Sequence, residues 1–152
     1  MKIAAALVLA ASLAAPATAH ADDVPSVDQV VAIMAELTDP DIPAANKTDI
    51  VTPGFSPDEA GTIDNHLTRM KVFGGILPLP FVVTDIQPAP GNLAGVLVGA
   101  EGSYRQTTPP GPAVMVNQGG RWLMTHDTAL TAVNAFWANA NRPHNAFVPH
   151  AV

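Results

Sequence analysis

The side chains of this chain that could do acid–base chemistry are few and scattered. His126-Asp127 places an imidazole beside a carboxylate, the pairing from which a general base is built. The pair follows a strand-like run ending at Thr125 and precedes a helical one, where a hollow fold presents polar groups. Neighbouring side chains on an extended chain point to opposite faces, so the spacing predicts that His126 and Asp127 do not act on one another. The same position suits Asp127 or Thr128 as a helix cap. Asp85 is the second candidate, inside the run Phe81 to Gln87. Strict alternation puts it on one face with Val83, and Val82, Thr84 and Ile86 on the other. It then either lines a hollow or lies on the wet face of a sheet. Asp64 and His66 are two apart in a helical segment and share no face. Asp64, next to an apolar Ile63, is predicted to face solvent. Asp85 and His126 are therefore the weak catalytic candidates, and no dyad is specified.

Metal and cofactor chemistry finds even less support. The histidines His144 and His150 match no zinc spacing, Asp22-Asp23 offer only adventitious chelation, and there is no Cys. No cofactor or metal is expected. Gly74-Gly75 and Gly119-Gly120 do not sit between a strand and a following helix, so they read as turns and not as phosphate cradles. Asn46-Lys47-Thr48 is formally a glycosylation sequon. Trp122, Trp137, Phe81 and Phe136 are expected to anchor the core. Trp137, one helical turn from the tail, is also the main candidate for a contact patch, with Trp122 the second. Seven Lys+Arg against 13 Asp+Glu give a net charge of −6. That balance excludes a nucleic-acid partner and opposes docking on anionic lipid.

The elements that must position these residues begin after an address label. Lys2, the apolar run Ile3 to Ala15 interrupted by Ser12, and Ala19-His20-Ala21 have the layout of a secretory signal cleaved after Ala21. The run is too short for a membrane span. Cleavage leaves 131 of the 152 residues and removes Lys2. Residues 22–140 then form one domain of a size that buries a core without disulfides, and 141–152 a flexible tail. Ser26 with Gln29 forms a capping box for a helix ending near Thr38. Ile42 to Val51 is consistent with one or two helical turns. Ser56 with Glu59, and Pro57 at the first helical position, start a long helix to Phe73. Phe81–Gln87 and Leu93–Tyr104, joined by the loop Pro88–Asn92, predict one hairpin. The stiff connection Thr107–Pro112 leads to a second, Ala113–Asn117 with Arg121–Thr125, around Gln118-Gly119-Gly120. A closing helix carries Leu130, Val133, Phe136 and Trp137. The layout is α+β: N-terminal helices on a curved antiparallel sheet of about four strands, then a C-terminal helix. A cystatin-like or nuclear-transport-factor-like cone, its sheet wrapped around the helix Ser56–Phe73, satisfies the pattern.

Three stretches resemble the low-molecular-weight secreted antigen family of mycobacteria, the twelve-kilodalton culture-filtrate type. They are Asp39-Pro40-Asp41-Ile42-Pro43-Ala44-Ala45-Asn46-Lys47, then Leu77 to Ala89 (LPLPFVVTDIQPA), then Val116-Asn117-Gln118-Gly119-Gly120 running into Trp122. The resemblance runs from about Val24 to Val133. It implies a small exported antigen of unassigned activity, open to host immune recognition, with no catalytic residues to carry over. The chain departs from the pattern at Arg121, expected to lengthen the second hairpin turn, and in a longer tail with two histidines. The leading expectation is a non-enzymatic secreted or envelope-associated domain that binds an unknown protein or small apolar ligand. The alternative is a small-molecule enzyme of the cone-shaped fold, isomerase- or dehydratase-like, using Asp85 and His126.

Overall fold

The computed structural model describes residues 24–143; the signal-like leader and the tail with His144 and His150 lie outside them. Two capping boxes start the first two helices as the sequence predicts. In α1 (Val27–Leu37) the Ser26 hydroxyl accepts from the Gln29 amide while the Gln29 side chain accepts from the Ser26 amide. In α2 (Pro57–Val72) Ser56 and Glu59 repeat the reciprocal pair, with Pro57 at the first helical position. Each box satisfies two of the amides that a helix start leaves without partners. Between them, a 3₁₀ helix (Ala44–Asp49) gives way to a short strand, β1 (Val51–Thr52).

The rest of the sheet comprises β2 (Phe81–Ala89), β3 (Leu93–Ala100), β4 (Thr108–Gln118) and β5 (Arg121–Thr125), and α3 (His126–Ala140) closes the chain. The spatial order is β1-β5-β4-β3-β2. The expected four antiparallel strands are present, and β1 adds a fifth that pairs parallel to β5, Val51 with Met124 and Thr52 with Thr125. The sheet is therefore mixed. Ile50-Val51 was expected in a helical turn; instead the Ile50 carbonyl accepts the Met124 amide at 2.7 Å, so the open edge of β5 draws this apolar pair into the sheet.

Two strands depart from simple alternation or length. Thr84 is left unpaired between Val83, opposite Val98, and Asp85, opposite Leu97. This bulge reverses the face of every later residue in β2. Val83 and Ile86 both reach the core, and Asp85 sits opposite Val83's face, not on it. The prolines 109, 110 and 112, expected in a stiff connection, belong to β4, where Pro112 pairs with Leu97. They fit because β5 pairs only with Met115–Gln118, so this half of β4 has one ladder and a missing amide costs little. Gly99, at the matching irregularity in β3, must be glycine: a Cβ there would lie 2.6 Å from the Thr108 carbonyl oxygen. Gly119 (φ 61°) and Gly120 (φ 89°) make a two-residue turn between Gln118 and Arg121, which pair. Arg121 is thus the first residue of β5 and does not lengthen the turn.

All three helices gather on one face of the sheet. α1 lies against β2 and β5, and α3 against β4 and β5; α2 rests outside them, on α3 and the 3₁₀ helix. The sheet therefore packs on α1 and α3, and not around α2 as expected. The core between the layers is built from Val30, Met34, Leu37, Leu67, Met70, Met115, Met124 and Val133, each essentially inaccessible. Burial of each such side chain contributes about 1.5–3 kcal/mol. Phe81 meets Phe136 edge to face at 5.6 Å. Among the described residues no helix is long and apolar enough to cross a membrane.

Among the described residues, one charged group lies inside this core. Lys47 has no solvent exposure, and its Nζ donates to the carbonyls of Leu37 at 2.7 Å and Asp39 at 3.0 Å. Burial holds its pKa below the ordinary value, against the opposing pull of Asp64, Asp39 and Glu36. Lys47→Met keeps the volume, strands the Leu37 carbonyl and leaves that of Asp39 only the Ile42 amide as donor, a loss of about 2 kcal/mol. Urea unfolding of the variant is expected to show a lower midpoint at unchanged slope; an unchanged midpoint would refute this role.

Candidate functional site

The larger of two clefts among those on the described surface opens where the end of α1 meets the chain leading into β2. Its volume is about 340 Å³. Ala35 and Thr38 bring α1 to it, Leu77, Leu79 and Phe81 supply the opposite apolar wall, and Asp39, Asp41 and Lys71 stand at its rim. Local chemistry fixes each part. The Thr38 hydroxyl donates back to the Met34 carbonyl at 2.9 Å and ends α1. Asp39 then accepts the Asp41 amide at 2.8 Å, an Asx turn that carries the chain past Pro40. Lys71 on α2 donates to Asp41 at 2.9 Å, an exposed pair that raises the Lys71 pKa. On the other wall, Pro78 and Pro80 keep the chain extended into β2. The result is an apolar slot with a charged lip, in which the Thr38 hydroxyl is engaged by the Met34 carbonyl and Lys71 by Asp41.

His126 stands elsewhere, at the first turn of α3. Its Nε2 lies 2.9 Å from Glu59 Oε1 and its Nδ1 3.1 Å from Asp127 Oδ1. The expectation that His126 and Asp127 cannot meet fails because both residues are already helical, and the cap is Thr125, without a side-chain bond. Thr128 Oγ1 instead accepts from the Val114 amide of β4 at 3.2 Å and from the Thr125 hydroxyl at 2.9 Å. Both ring nitrogens face carboxylate oxygens, an arrangement that favours the doubly protonated ring. Glu59 first, then Asp127, raise the His126 pKa, and His126 chiefly lowers that of Glu59. The His126 and Glu59 side chains are 21% and 30% exposed, and the Phe55 ring lies 5.8 Å from the imidazole. The arrangement joins the starts of α2 and α3. Glu59 was legible only as half of a capping box, because its second role depends on two helix starts that are 67 residues apart.

Asp85 and His126 are not brought together. Asp85 is exposed on edge strand β2, accepting from Gln87 at 2.9 Å, whereas His126 follows β5, with β4 and β3 between. Three strand spacings amount to ~14 Å. Asp64, expected to face solvent, is half-buried and accepts the Ala44 amide at 2.8 Å, capping the 3₁₀ helix from α2. His66 stacks on Trp137, centroids 4.3 Å apart and planes 7° apart. Trp137 and Trp122 are both half-buried against the core. Asp22, Asp23, His144 and His150 lie outside the described residues. Nothing local in the sequence signals the cleft, although two of the three family-like stretches supply Asp39, Pro40 and Asp41 on one side and Leu77, Pro78, Leu79 and Phe81 on the other.

Comparison with known proteins agrees with those stretches. A family model described as "Low molecular weight antigen MTB12, C-terminal domain" matches residues 23–140. Proteins named low molecular weight antigen MTB12 from Mycobacterium bovis and Mycobacterium tuberculosis are each 34% identical over 117 residues, covering 77% of this chain and 68% of theirs. A homologue from Mycobacterium leprae is 27% identical over 117 residues, covering 77% of this chain and 69% of its own.

The His126 clamp makes stability depend on pH. A His pKa raised above 6.5 stabilises fully below that value and loses the contribution as pH rises through the folded pKa. A Glu pKa lowered from 4.5 stabilises above that value and loses the contribution as pH falls. The clamp is therefore strongest between pH 4.5 and 6.5. Thermal melts are expected to show that His126→Gln loses most Tm relative to the parent inside this window and least at pH 8.5 and above. A difference independent of pH would contradict the assignment.

Proposed function

Since the chain belongs to the low-molecular-weight antigen MTB12 family, we propose that it is an exported binding domain that holds a small apolar ligand in the cleft between α1 and the Leu77–Phe81 segment, without turning it over. The observation that carries this reading is the slot of about 340 Å³ whose walls are apolar and whose polar groups stand at the lip, Lys71 paired with Asp41 and the Thr38 hydroxyl with the Met34 carbonyl. Export rests on the leader, with Lys2, the apolar run and Ala19-His20-Ala21. The body of the domain then spans residues 22–140, and 141–152 form its tail. Recognition by host immunity follows from what the relatives are called, antigens.

We extend the reading to a variant of the cystatin-like and nuclear-transport-factor-like cones in which α1 and α3, and not α2, lie against the sheet. What supports it is the gathering of all helices on one face of a sheet whose bulges at Thr84 and Gly99 bend the strands. The slot is then the mouth of the cone beside α1.

Two measurements test the proposal. N-terminal sequencing of the protein from culture filtrate is expected to read Asp22-Asp23-Val24; a retained leader would defeat the export assignment. Titration with the neutral fluorophore N-phenyl-1-naphthylamine is expected to show saturable binding. Ala35→Phe, at an exposed position of α1, fills the slot and weakens that binding about tenfold or more, ~1.4 kcal/mol. Non-saturable uptake, or equal binding by the variant, would remove the slot as the site.

A further inference from the structure

A second cleft, of about 160 Å³, lies where α2 and α3 end, and its chemistry is the opposite of the first. Arg69 from α2 and Arg105 from the β3–β4 connection both line it, together with Trp137, Phe73 and Asn141, and no carboxylate does. The chain has four arginines and a net charge of −6, so two arginines lining one small cleft, Arg69 exposed and Arg105 half-buried, run against its overall balance. Among the described residues the ion pairs are Lys71–Asp41, His126–Glu59 and His126–Asp127, and neither arginine takes part in them. The Arg105 Nε is buried and has no hydrogen-bond partner. A buried donor in that state wants an acceptor.

The electrostatic sum decides the sign of the ligand. Two helix C-termini face the cleft, each equivalent to about −0.5 charge. Two full guanidinium charges exceed that, and the cleft is net positive. His66 adds nothing, because burial and then Arg69 lower its pKa and keep the ring neutral. Its role is mechanical: stacked at 4.3 Å it fixes the Trp137 indole against rotation. At the rim, the Phe73 ring is 81% exposed, an unusual position for a large apolar side chain with no structural task in the core.

We infer that this cleft is a binding site for a small oxyanion carrying a flat apolar group, its phosphate or carboxylate held by Arg69 and Arg105 and its flat part lying on Trp137 and Phe73. Guanidinium forks match phosphate and carboxylate oxygens in pairs, and an aromatic wall beside them selects esters and aryl acids over the bare ion. The site is separate from the apolar slot of the proposed function and stands or falls independently of it.

Calorimetric titration of the mature protein at low ionic strength tests the assignment, with phenyl phosphate, benzoate, inorganic phosphate and neutral benzyl alcohol as probes. Phenyl phosphate or benzoate is expected to bind saturably, inorganic phosphate more weakly and benzyl alcohol not at all; whichever aryl anion binds tighter identifies the head group. Arg69→Gln and Arg105→Gln are each expected to weaken the aryl anion about tenfold or more. Phe73→Ala, at an exposed position, lowers affinity for the aryl anion and leaves inorganic phosphate unchanged. Arg121→Gln, which removes the same charge where Arg121 binds the Asp49 carbonyl, leaves every affinity unchanged. Absence of saturable binding by both aryl anions would overturn the proposal. So would an Arg121→Gln effect equal to that of Arg69→Gln and Arg105→Gln, since bulk charge would then account for the binding.

Discussion

Much of this molecule depends on a buried ammonium. Lys47 reaches from the 3₁₀ helix to the carbonyls of Leu37 and Asp39; the end of α1 leaves the first without a backbone donor, and the second also accepts the Ile42 amide at 3.4 Å. A cation at a helix C-terminus is also favoured by the macrodipole. Taking that charge out of water is costly, and the lowered pKa of Lys47 records the cost. What offsets it is placement among three carboxylates, Asp64, Asp39 and Glu36, with two direct acceptors. Asp64 serves twice, because it also accepts the Ala44 amide and so sets the 3₁₀ helix against α2. Burial is felt in return by Glu36, whose pKa is raised by desolvation and by neighbouring Asp49. The segment from Thr38 to Asp49 is therefore held at both ends by charge and hydrogen bonding, with few apolar contacts of its own. It forms one wall of the apolar slot and delivers Ile50-Val51 to the edge of β5.

This dependence explains what the sequence could and could not disclose. The starts of α1 and α2 were legible because a capping box is complete within four residues, Ser26 to Gln29 and Ser56 to Glu59. The glycine turn at Gly119-Gly120 was legible for the same reason, although Arg121 belonged to the strand and not to the turn. Features whose cause lies far along the chain were not legible. Prolines in Thr108–Pro112 look like a connection until β5 proves too short to pair with that half of β4. Thr84 becomes a bulge only because Val83 and Ile86 must both reach one core. Asp64 looks solvated by helical angle alone, and Asn46-Lys47-Thr48 reads as a surface sequon although its lysine is the most buried polar group described. The apolar slot was hidden for a related reason, since Asp39-Pro40-Asp41 and Leu77-Pro78-Leu79-Pro80 each look like punctuation until they face one another.

The same non-locality governs polar contacts between helices. His126 joins α3 to α2 through Glu59, and Asn139 near the other end of α3 donates to Thr108 at 2.9 Å in a buried pair. α3 is thereby fixed to a helix at its start and to the sheet near its end. Between those points its apolar face, Ala129, Val133 and Phe136, is dispersive and would tolerate sliding. Directional bonds at the ends supply the register that apolar packing alone does not.

The two clefts share a partition, and its rigidity follows from one residue. Arg69, Met70, Phe73, Gly74 and Ile76 line the basic cleft, and Leu77, Pro78, Leu79 and Phe81 the apolar slot, so the chain passes from one to the other directly after Ile76. Ile76 is 4% exposed; its amide donates to the Met70 carbonyl at 3.1 Å and its carbonyl accepts from Gln106 Nε2 at 2.9 Å. Gln106 neighbours Arg105, so the bond that pins the partition also positions the turn bearing the second guanidinium. A Cβ on Gly74 would fall 2.6 Å from Ile76 Cδ1 and 3.0 Å from the Met70 carbonyl oxygen, so the bare glycine lets Ile76 pack close to the end of α2. Displacement of Ile76 would have to disturb both clefts at once, because the backbone leaving it in one direction lines the basic cleft and in the other the apolar slot. A main chain bonded on both sides of a buried apolar anchor has no low-cost intermediate position. The geometry therefore makes the two clefts mechanically joined parts of one wall, and not independent accidents of the surface.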